Sequence, residues 1–129
     1  MSAPASVAKR PKNLDLLRIS LPLPAKVSIL HRVSGALLFL SLPVFIYQLD
    51  QSLDSAETYA SAADFFALPL VKLAVMVMVW SYSHHFCAGI RYLLLDLHLG
   101  LDRVPANRSA QAVLAASLVL TVLVGVQLW

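Results

Sequence analysis

Charged residues are scarce in this sequence, and their scarcity excludes an ordinary soluble domain. Only 13% of the 129 residues are Asp, Glu, Lys or Arg, whereas 59% are hydrophobic, and the mean hydropathy is +0.74. A soluble domain of this length needs a larger polar surface to stay in water. The composition therefore predicts a small integral membrane protein whose solvent is the lipid bilayer.

Cysteine is almost absent, which excludes two kinds of site. The single cysteine, Cys87, cannot form an internal disulfide, and one thiol cannot hold an iron–sulfur cluster. Because Cys87 lies inside an apolar run, we interpret it as a small buried hydrophobic residue. The N-terminal stretch also lacks an apolar core followed by a cleavage site, so no secretory signal peptide is expected.

Acidic residues are fewer than basic ones, but this excess does not indicate nucleic-acid binding. Ten Lys and Arg against seven Asp and Glu give a formal charge of +3 and an isoelectric point near 9.3. The basic residues cluster at the ends of apolar runs, where membrane topology alone accounts for them. We therefore expect no nucleic-acid partner.

Three apolar segments are each long enough to cross a bilayer. They cover approximately residues 28–49, 67–95 and 110–129, and about 20 residues suffice for a helix across a hydrocarbon core about 30 Å thick. Helices are expected because backbone groups in lipid must bond to one another and three segments cannot close a barrel. The sequence thus predicts an all-α fold, a three-helix membrane anchor in residues 28–129.

The charges beside these spans predict the orientation. Residues 1–27 form a polar N-terminal segment with a short amphipathic stretch at residues 14–19, and the first loop, residues 50–64, is acidic and contains no Lys or Arg. The positive-inside rule puts the N-terminus and the second loop on the inner side and Trp129 on the outer side. Such a chain has little room for a complete active site, so we expect an anchor, a cofactor holder or a subunit.

Two adjacent histidines, His84 and His85, lie within the second span. His85 precedes Asp96 by eleven residues, or about 16 Å of helix, which puts it near mid-membrane. Ionisable groups at that depth are costly and are functional candidates, although a neutral histidine can also simply bond a neighbouring helix. On a helix, His84 shares one face with Arg91. His85 shares a different face with Gly89 and Asp96.

Gly89 lies one helical turn after His85. A glycine there leaves room for a flat group against the helix backbone, which is what a macrocycle needs beside an axial imidazole. Small residues also serve ordinary helix packing, so this spacing alone is a weak signal.

A second polar group opens the first span, in SILHRVSG at residues 28–35. Ser28 and Arg32 are four residues apart and stack on one helix face, with His31 beside Arg32. The Ser28 hydroxyl and the Arg32 guanidinium can donate to a carbonyl oxygen or a carboxylate, and His31 adds a titratable group. The alternative makes Ser28 a helix N-cap and Arg32 a topology signal whose side chain extends to the membrane surface.

Taken in order, these segments resemble a known family. The resemblance rests on three motifs: RPKNLDL at residues 10–16, SILHRVSG at 28–35, and a histidine followed after three residues by GIR in the second span. Over nearly the whole chain the sequence resembles the cytochrome b membrane-anchor subunits of succinate dehydrogenase, respiratory complex II, in their bacterial form. The resemblance implies a bacterial inner membrane, with a cytoplasmic N-terminus and a periplasmic C-terminus.

The resemblance also implies partners, cofactors and residue roles. The subunit would pair with a second membrane anchor, hold haem b with it, and attach a flavoprotein and an iron–sulfur subunit. On this pattern Ser28 and Arg32 line the ubiquinone site, and His85 is the axial haem ligand opposite a histidine of the other anchor. Three further residues would lie at the haem pocket or its propionates, namely His31, Gly89 and Arg91.

Two departures from the family pattern keep alternatives open. Tyr92 stands where the family often has a histidine after GIR, so a propionate contact there becomes a phenol contact or is lost. His84 directly precedes the matched histidine, and the register favours His85 without strictly excluding His84. Two other functions are also open: the anchor of a fumarate reductase, and a haemless structural membrane subunit whose histidines only bond neighbouring helices.

Overall fold

Four helices make up the part of the chain that the computed structural model describes, residues 20–128. They are α1 (Leu23–Asp54), α2 (Ala56–Ala67), α3 (Pro69–Asp96) and α4 (Arg103–Leu128). Helices α1, α3 and α4 are long and apolar enough to cross a membrane, so the predicted all-α fold with three membrane helices is confirmed. The amphipathic stretch predicted at residues 14–19 lies outside the described residues.

Helix α1 begins earlier and ends later than the predicted first span. Pro24 occupies its first turn, where the missing N–H interrupts no intrahelical bond. The helix then continues through Pro43 to Asp54 and contains 32 residues. At 1.5 Å per residue its length is about 48 Å, so it extends beyond a hydrocarbon core of about 30 Å.

Helix α2 occupies part of residues 50–64, the segment predicted as a loop between the first two spans. Ser55 ends α1 and caps α2 through a capping box: the Thr58 N–H donates to the Ser55 Oγ at 3.2 Å, and the Ser55 N–H donates to the Thr58 Oγ1 at 3.0 Å. Glu57 in the first turn favours the same helix end electrostatically. These local signals, together with several alanines, favour a helix in a segment that was interpreted as a loop because it lies between two apolar spans.

Small residues form the centre of the bundle, and large apolar residues lie outside. Helix α3 packs against both α1 and α4, around a core of Val27, Ala88, Ala110 and Val113. Small side chains let membrane helices approach closely. Large apolar side chains gain nothing by burial, because the lipid around them is as apolar as the protein interior. The exposed leucines, valines and phenylalanines of α1 and α4 therefore suit a hydrocarbon environment.

A left-handed turn ends α3 and leads into α4. The Leu99 N–H donates to the Leu94 carbonyl at 3.0 Å and the His98 N–H to the Leu95 carbonyl at 2.9 Å, which is the Schellman pattern of helix ends. His98, with φ of 61°, occupies the position that usually holds glycine. The turn places the last turns of α3 beside the first turns of α4.

Candidate cofactor site between α1 and α3

His85 lies half-buried in the groove between α1 and α3. Its ring stacks on the His31 ring, with centroids 4.1 Å apart and planes 11° from parallel. The Nδ1 atom of His85 lies 3.0 Å from the backbone carbonyl oxygen of His31. Because a carbonyl only accepts, Nδ1 carries the proton and the lone pair of Nε2 is available to a metal. Such a carbonyl contact orients metal-binding histidines in many proteins.

Gly35 makes this close approach possible. A Cβ atom at residue 35 would lie 2.8 Å from Cε1 and 3.1 Å from Nδ1 of His85, so any larger residue must displace the imidazole. Gly89 is less crowded, since a Cβ there would meet only Nε2 of His31, at 3.9 Å. The His31 ring therefore lies at ordinary van der Waals distance over Gly89, where α3 carries no side chain of its own.

His84 points away from this groove, into the bundle. Its side chain is fully buried and stacks on Trp80, with ring centroids 5.4 Å apart. Its ring nitrogens make no hydrogen bond of ordinary geometry within residues 20–128, although the side chain lies beside the Val27 backbone of α1. A group shared with another subunit would have to enter the helix core to reach His84. The geometry therefore favours His85 as the histidine that faces a shared cofactor.

Ser28 and Arg32 lie on α1 near the mouth of the groove. Ser28 is half-buried and Arg32 exposed, and neither side chain makes a hydrogen bond or ion pair in the described part of the chain. Because α1 begins at Leu23, Ser28 is in its second turn, and the N-cap alternative is excluded. Together with Gly35, the two residues occupy one stripe on successive turns of α1. A ligand at this mouth would adjoin the His85 groove.

Arg91 does not join this cluster. Its Nε donates to the Ser109 hydroxyl at 3.0 Å and its Nη2 to the Ala106 carbonyl at 3.3 Å, so the guanidinium is held against α4. Tyr92 does lie in the groove, with its ring centroid 5.1 Å from that of His31, and its buried hydroxyl has no partner among the described residues. The structure thus brings together His31, His85, Gly89 and Tyr92. Arg91 borders this group only through Tyr92, whose ring centroid lies 5.5 Å from the Arg91 Cζ.

Two small residues near the cluster, Ser34 and Gly35, carried no distinct signal in the sequence. The Ser34 hydroxyl donates to the His31 carbonyl at 3.0 Å and lies 3.5 Å from Nδ1 of His85. Both residues follow His31 within one turn, and their importance depends on how closely α3 approaches, which a sequence pattern does not reveal.

The donor set suits a macrocycle better than a bare metal ion. Residues 20–128 contain no group of three or more His, Cys, Asp or Glu side chains that could hold a metal. A bare ion needs several protein ligands, whereas a porphyrin supplies most ligands itself and needs only axial ones. One oriented imidazole with a glycine one turn later on the same helix fits the second case.

These features define a class: a small multi-pass helical membrane protein with an oriented imidazole in an intramembrane groove and a hydroxyl–guanidinium pair at its mouth. Comparison with known proteins narrows the class. The family model of the succinate dehydrogenase/fumarate reductase transmembrane subunit matches residues 6–124. The chain belongs to this family, and the resemblance noted in the sequence is confirmed.

Several bacterial relatives are similar over most of their length. The chain is 40% identical over 124 residues to the succinate dehydrogenase cytochrome b556 subunit of Coxiella burnetii, covering 95% of this chain and 98% of that protein. The corresponding subunit of Paracoccus denitrificans is 31% identical over 115 residues, 88% of each chain. That of Rickettsia felis is 28% identical over 118 residues, 92% of each chain.

Proposed function

We propose that this chain is a haem b-binding membrane anchor of succinate dehydrogenase, a succinate:ubiquinone oxidoreductase of the respiratory chain and the tricarboxylic acid cycle. It attaches the flavoprotein and iron–sulfur subunits to the membrane together with a second anchor subunit. The observation that carries the proposal is the His85 imidazole, whose Nδ1 proton is fixed by the His31 carbonyl at 3.0 Å while Nε2 is left available. The chain is not catalytic alone, since succinate is oxidised on the soluble subunits.

The residues of the groove fit a haem. His85 would hold the haem iron through Nε2, together with a histidine of the second anchor. Gly89 would let the macrocycle lie close to α3, and His31 and Tyr92 would provide polar groups beside it. When bound, the haem supplies a one-electron redox centre inside the membrane. The residues of this chain would orient the His85 imidazole and exclude water around the haem.

Ser28 and Arg32 would bind the ubiquinone head group at the mouth of the groove. The Ser28 hydroxyl donates to a quinone carbonyl oxygen, which becomes more basic as the ring is reduced. The Arg32 guanidinium stabilises the negative charge that develops there. Neither side chain has to break a contact within residues 20–128 before it binds. Protons would arrive from the inner aqueous side through groups of partner chains.

The charge distribution supports a bacterial inner membrane location with a cytoplasmic N-terminus and a periplasmic C-terminus. Lys26, Arg32, Arg103 and Arg108 all lie toward one end of the bundle, together with Asp96 and Asp102. The end of α1 and helix α2 at the other end carry four acidic residues and no Lys or Arg. Basic residues favour the cytoplasmic side. On this orientation Ser28 and Arg32 lie at the cytoplasmic boundary, where a docked iron–sulfur subunit would deliver electrons.

The names of the relatives favour succinate oxidation over the fumarate reductase alternative, since all three compared proteins are succinate dehydrogenase subunits. The haemless structural alternative makes a different prediction, because it requires no soluble partner subunits. Gentle extraction through a tag on this chain tests both points. We expect a four-subunit complex that reduces ubiquinone with succinate. Recovery of the chain without flavoprotein and iron–sulfur subunits would contradict the proposal.

Gly35→Ala is expected to lower the haem content of the complex. The added methyl would lie 2.8 Å from the His85 ring, and the ring cannot yield without losing its bond to the His31 carbonyl. Haem per complex, measured by pyridine haemochrome, reports the displacement.

Gly125→Ala is the matched control, because it makes the same change in α4. A Cβ there would lie 2.6 Å from the Cε of Met76, but this atom is the end of a flexible side chain that can move aside. Haem content should therefore stay at the wild-type value. Equal haem loss in both variants would mean that tight helix packing in general, rather than the position of His85, determines haem retention.

A further inference from the structure

Arg91 carries a buried positive charge with no counterion in the described part of the chain. Only 5% of the residue is exposed, and its guanidinium bonds to neutral groups, the Ser109 hydroxyl and the Ala106 carbonyl. It makes no ion pair with a carboxylate of residues 20–128. A charge removed from water destabilises a structure unless an opposite charge compensates it. An anion is therefore expected beside Arg91.

The Tyr92 ring lies 5.5 Å from the Arg91 Cζ, but the charges of α4 nearest Arg91 are positive as well. Both of its partners lie in the first two turns of α4, whose N-terminus carries the positive end of the helix dipole. Arg103 and Arg108 are exposed in the same turns. The carboxylates that follow Arg91 most closely in the sequence, those of Asp96 and Asp102, are exposed and do not pair with it.

An apolar cleft adjoins the guanidinium. It is a cavity of about 480 Å³ between α3 and α4, open on the outside of the bundle, and its volume is that of a typical ligand site. Arg91 and Ser109 lie at its polar end. Apolar and small side chains form most of the remaining wall, including those of Cys87, Ile90, Leu94, Val113 and Ala116.

We propose that this cleft binds an anionic phospholipid, with the phosphate on Arg91 and an acyl chain along the apolar wall. Arg91 precedes the end of α3 at Asp96 by five residues, or about 8 Å of helix, which is close to the membrane boundary where lipid phosphates lie. A free phosphate would satisfy the charge but leave the wall unfilled. A carboxylate of another subunit would bring a polar chain against the same apolar surface. A phospholipid supplies both the anion and the apolar part.

Lipid binding by the intact complex tests the proposal. The complex is stripped with detergent and titrated separately with phosphatidylglycerol, phosphatidylcholine of the same acyl chains, and inorganic phosphate, with native mass spectrometry as the readout. We expect one phosphatidylglycerol to bind in preference to the other two. Arg91→Gln should weaken that binding by about tenfold or more, as loss of a charge-assisted contact does. Arg108→Gln, which removes an exposed charge from the same end of the bundle, should leave it unchanged.

Ala116→Phe provides a second variant that leaves Arg91 in place. The phenyl ring would fill the cleft, so it should also weaken phosphatidylglycerol binding, and it keeps the test valid if Arg91→Gln fails to assemble. Unaltered lipid binding in Arg91→Gln or in Ala116→Phe overturns the proposal, and so does inorganic phosphate binding as tightly as the lipid. Loss of a partner subunit from Arg91→Gln with the lipid retained would identify a protein carboxylate as the counterion and overturn it as well.

The haem midpoint potential distinguishes lipid binding by Arg91 from the propionate contact that the sequence resemblance implies for this residue. A lipid phosphate on the α4 side predicts an unchanged potential in Arg91→Gln. A shifted potential with unaltered lipid binding would assign Arg91 to the haem and overturn the lipid site.

Discussion

His85→Ala is expected to yield a complex that lacks haem or holds it in a high-spin state, whereas His84→Ala retains low-spin haem. The His85 Nδ1 is held by the His31 carbonyl in the groove between α1 and α3, which leaves Nε2 as the proposed haem ligand, and the substitution would remove it. His84 is fully buried on another face of α3, against Trp80. Haem content and the electron paramagnetic resonance spectrum of each purified complex distinguish the two spin states.

His84→Phe is a useful companion to His84→Ala, since its ring leaves no cavity in the bundle core, although it is larger than the imidazole. It also removes the two buried nitrogens beside the Val27 backbone, and the subunit content of the purified complex checks that it assembles. A low-spin haem in His85→Ala and a high-spin or missing haem in His84→Phe would show that the ligand is His84 and that the assigned register is wrong by one residue.

Arg32→Ala and Ser28→Ala are expected to impair quinone reduction while succinate oxidation with a soluble acceptor stays intact. Removing a donor that stabilises a developing oxyanion costs on the order of 100-fold in rate in well-studied enzymes, and we expect Arg32→Ala to approach that loss. Ser28→Ala should cost less, about tenfold, because a single hydroxyl bond is removed. Paired assays on each complex, with ubiquinone and with a soluble dye, measure the two activities separately.

Lys26→Ala is the control for the charge at this boundary. Lys26 is exposed in the first turn of α1, on the face opposite Ser28, so its loss removes a nearby cation without touching the proposed quinone site. Both activities should therefore stay at wild-type levels. Unchanged quinone reduction in both Arg32→Ala and Ser28→Ala would remove these two residues from the site. Loss of the dye-linked activity would instead indicate that the soluble subunits had detached.

Much of the fold follows from the sequence because hydropathy and length alone identify helices in a membrane. The three predicted spans correspond to α1, α3 and α4, and the differences are at their ends. Helix α4 begins at Arg103, ahead of the predicted apolar start, because polar residues continue a helix at the membrane boundary. Helix α2 was missed because apolar length alone was used to identify helices, and its capping box lies in a polar segment between two spans.

Some features of the candidate site follow from helical periodicity, whereas others depend on how the helices pack. Periodicity separates the face of His85 from that of His84, and the structure agrees with this separation. It does not tell which neighbour each face meets, so the burial of Arg91 against Ser109 and the contact of Gly35 with His85 were not predictable. Whether Ser28 caps α1 depends on where this helix begins, and the two prolines ahead of Ser28 determine that position.

Haem binding is tested by a reduced-minus-oxidised absorption spectrum of the complex, purified gently through a tag on this chain and reduced with dithionite. We expect a sharp low-spin b-type band, because the His85 imidazole and a histidine of the second anchor would ligate one haem. A flat spectrum with the partner subunits still present would contradict the haem assignment. His85 would then be a structural residue, and the quinone site would depend on Ser28 and Arg32 alone.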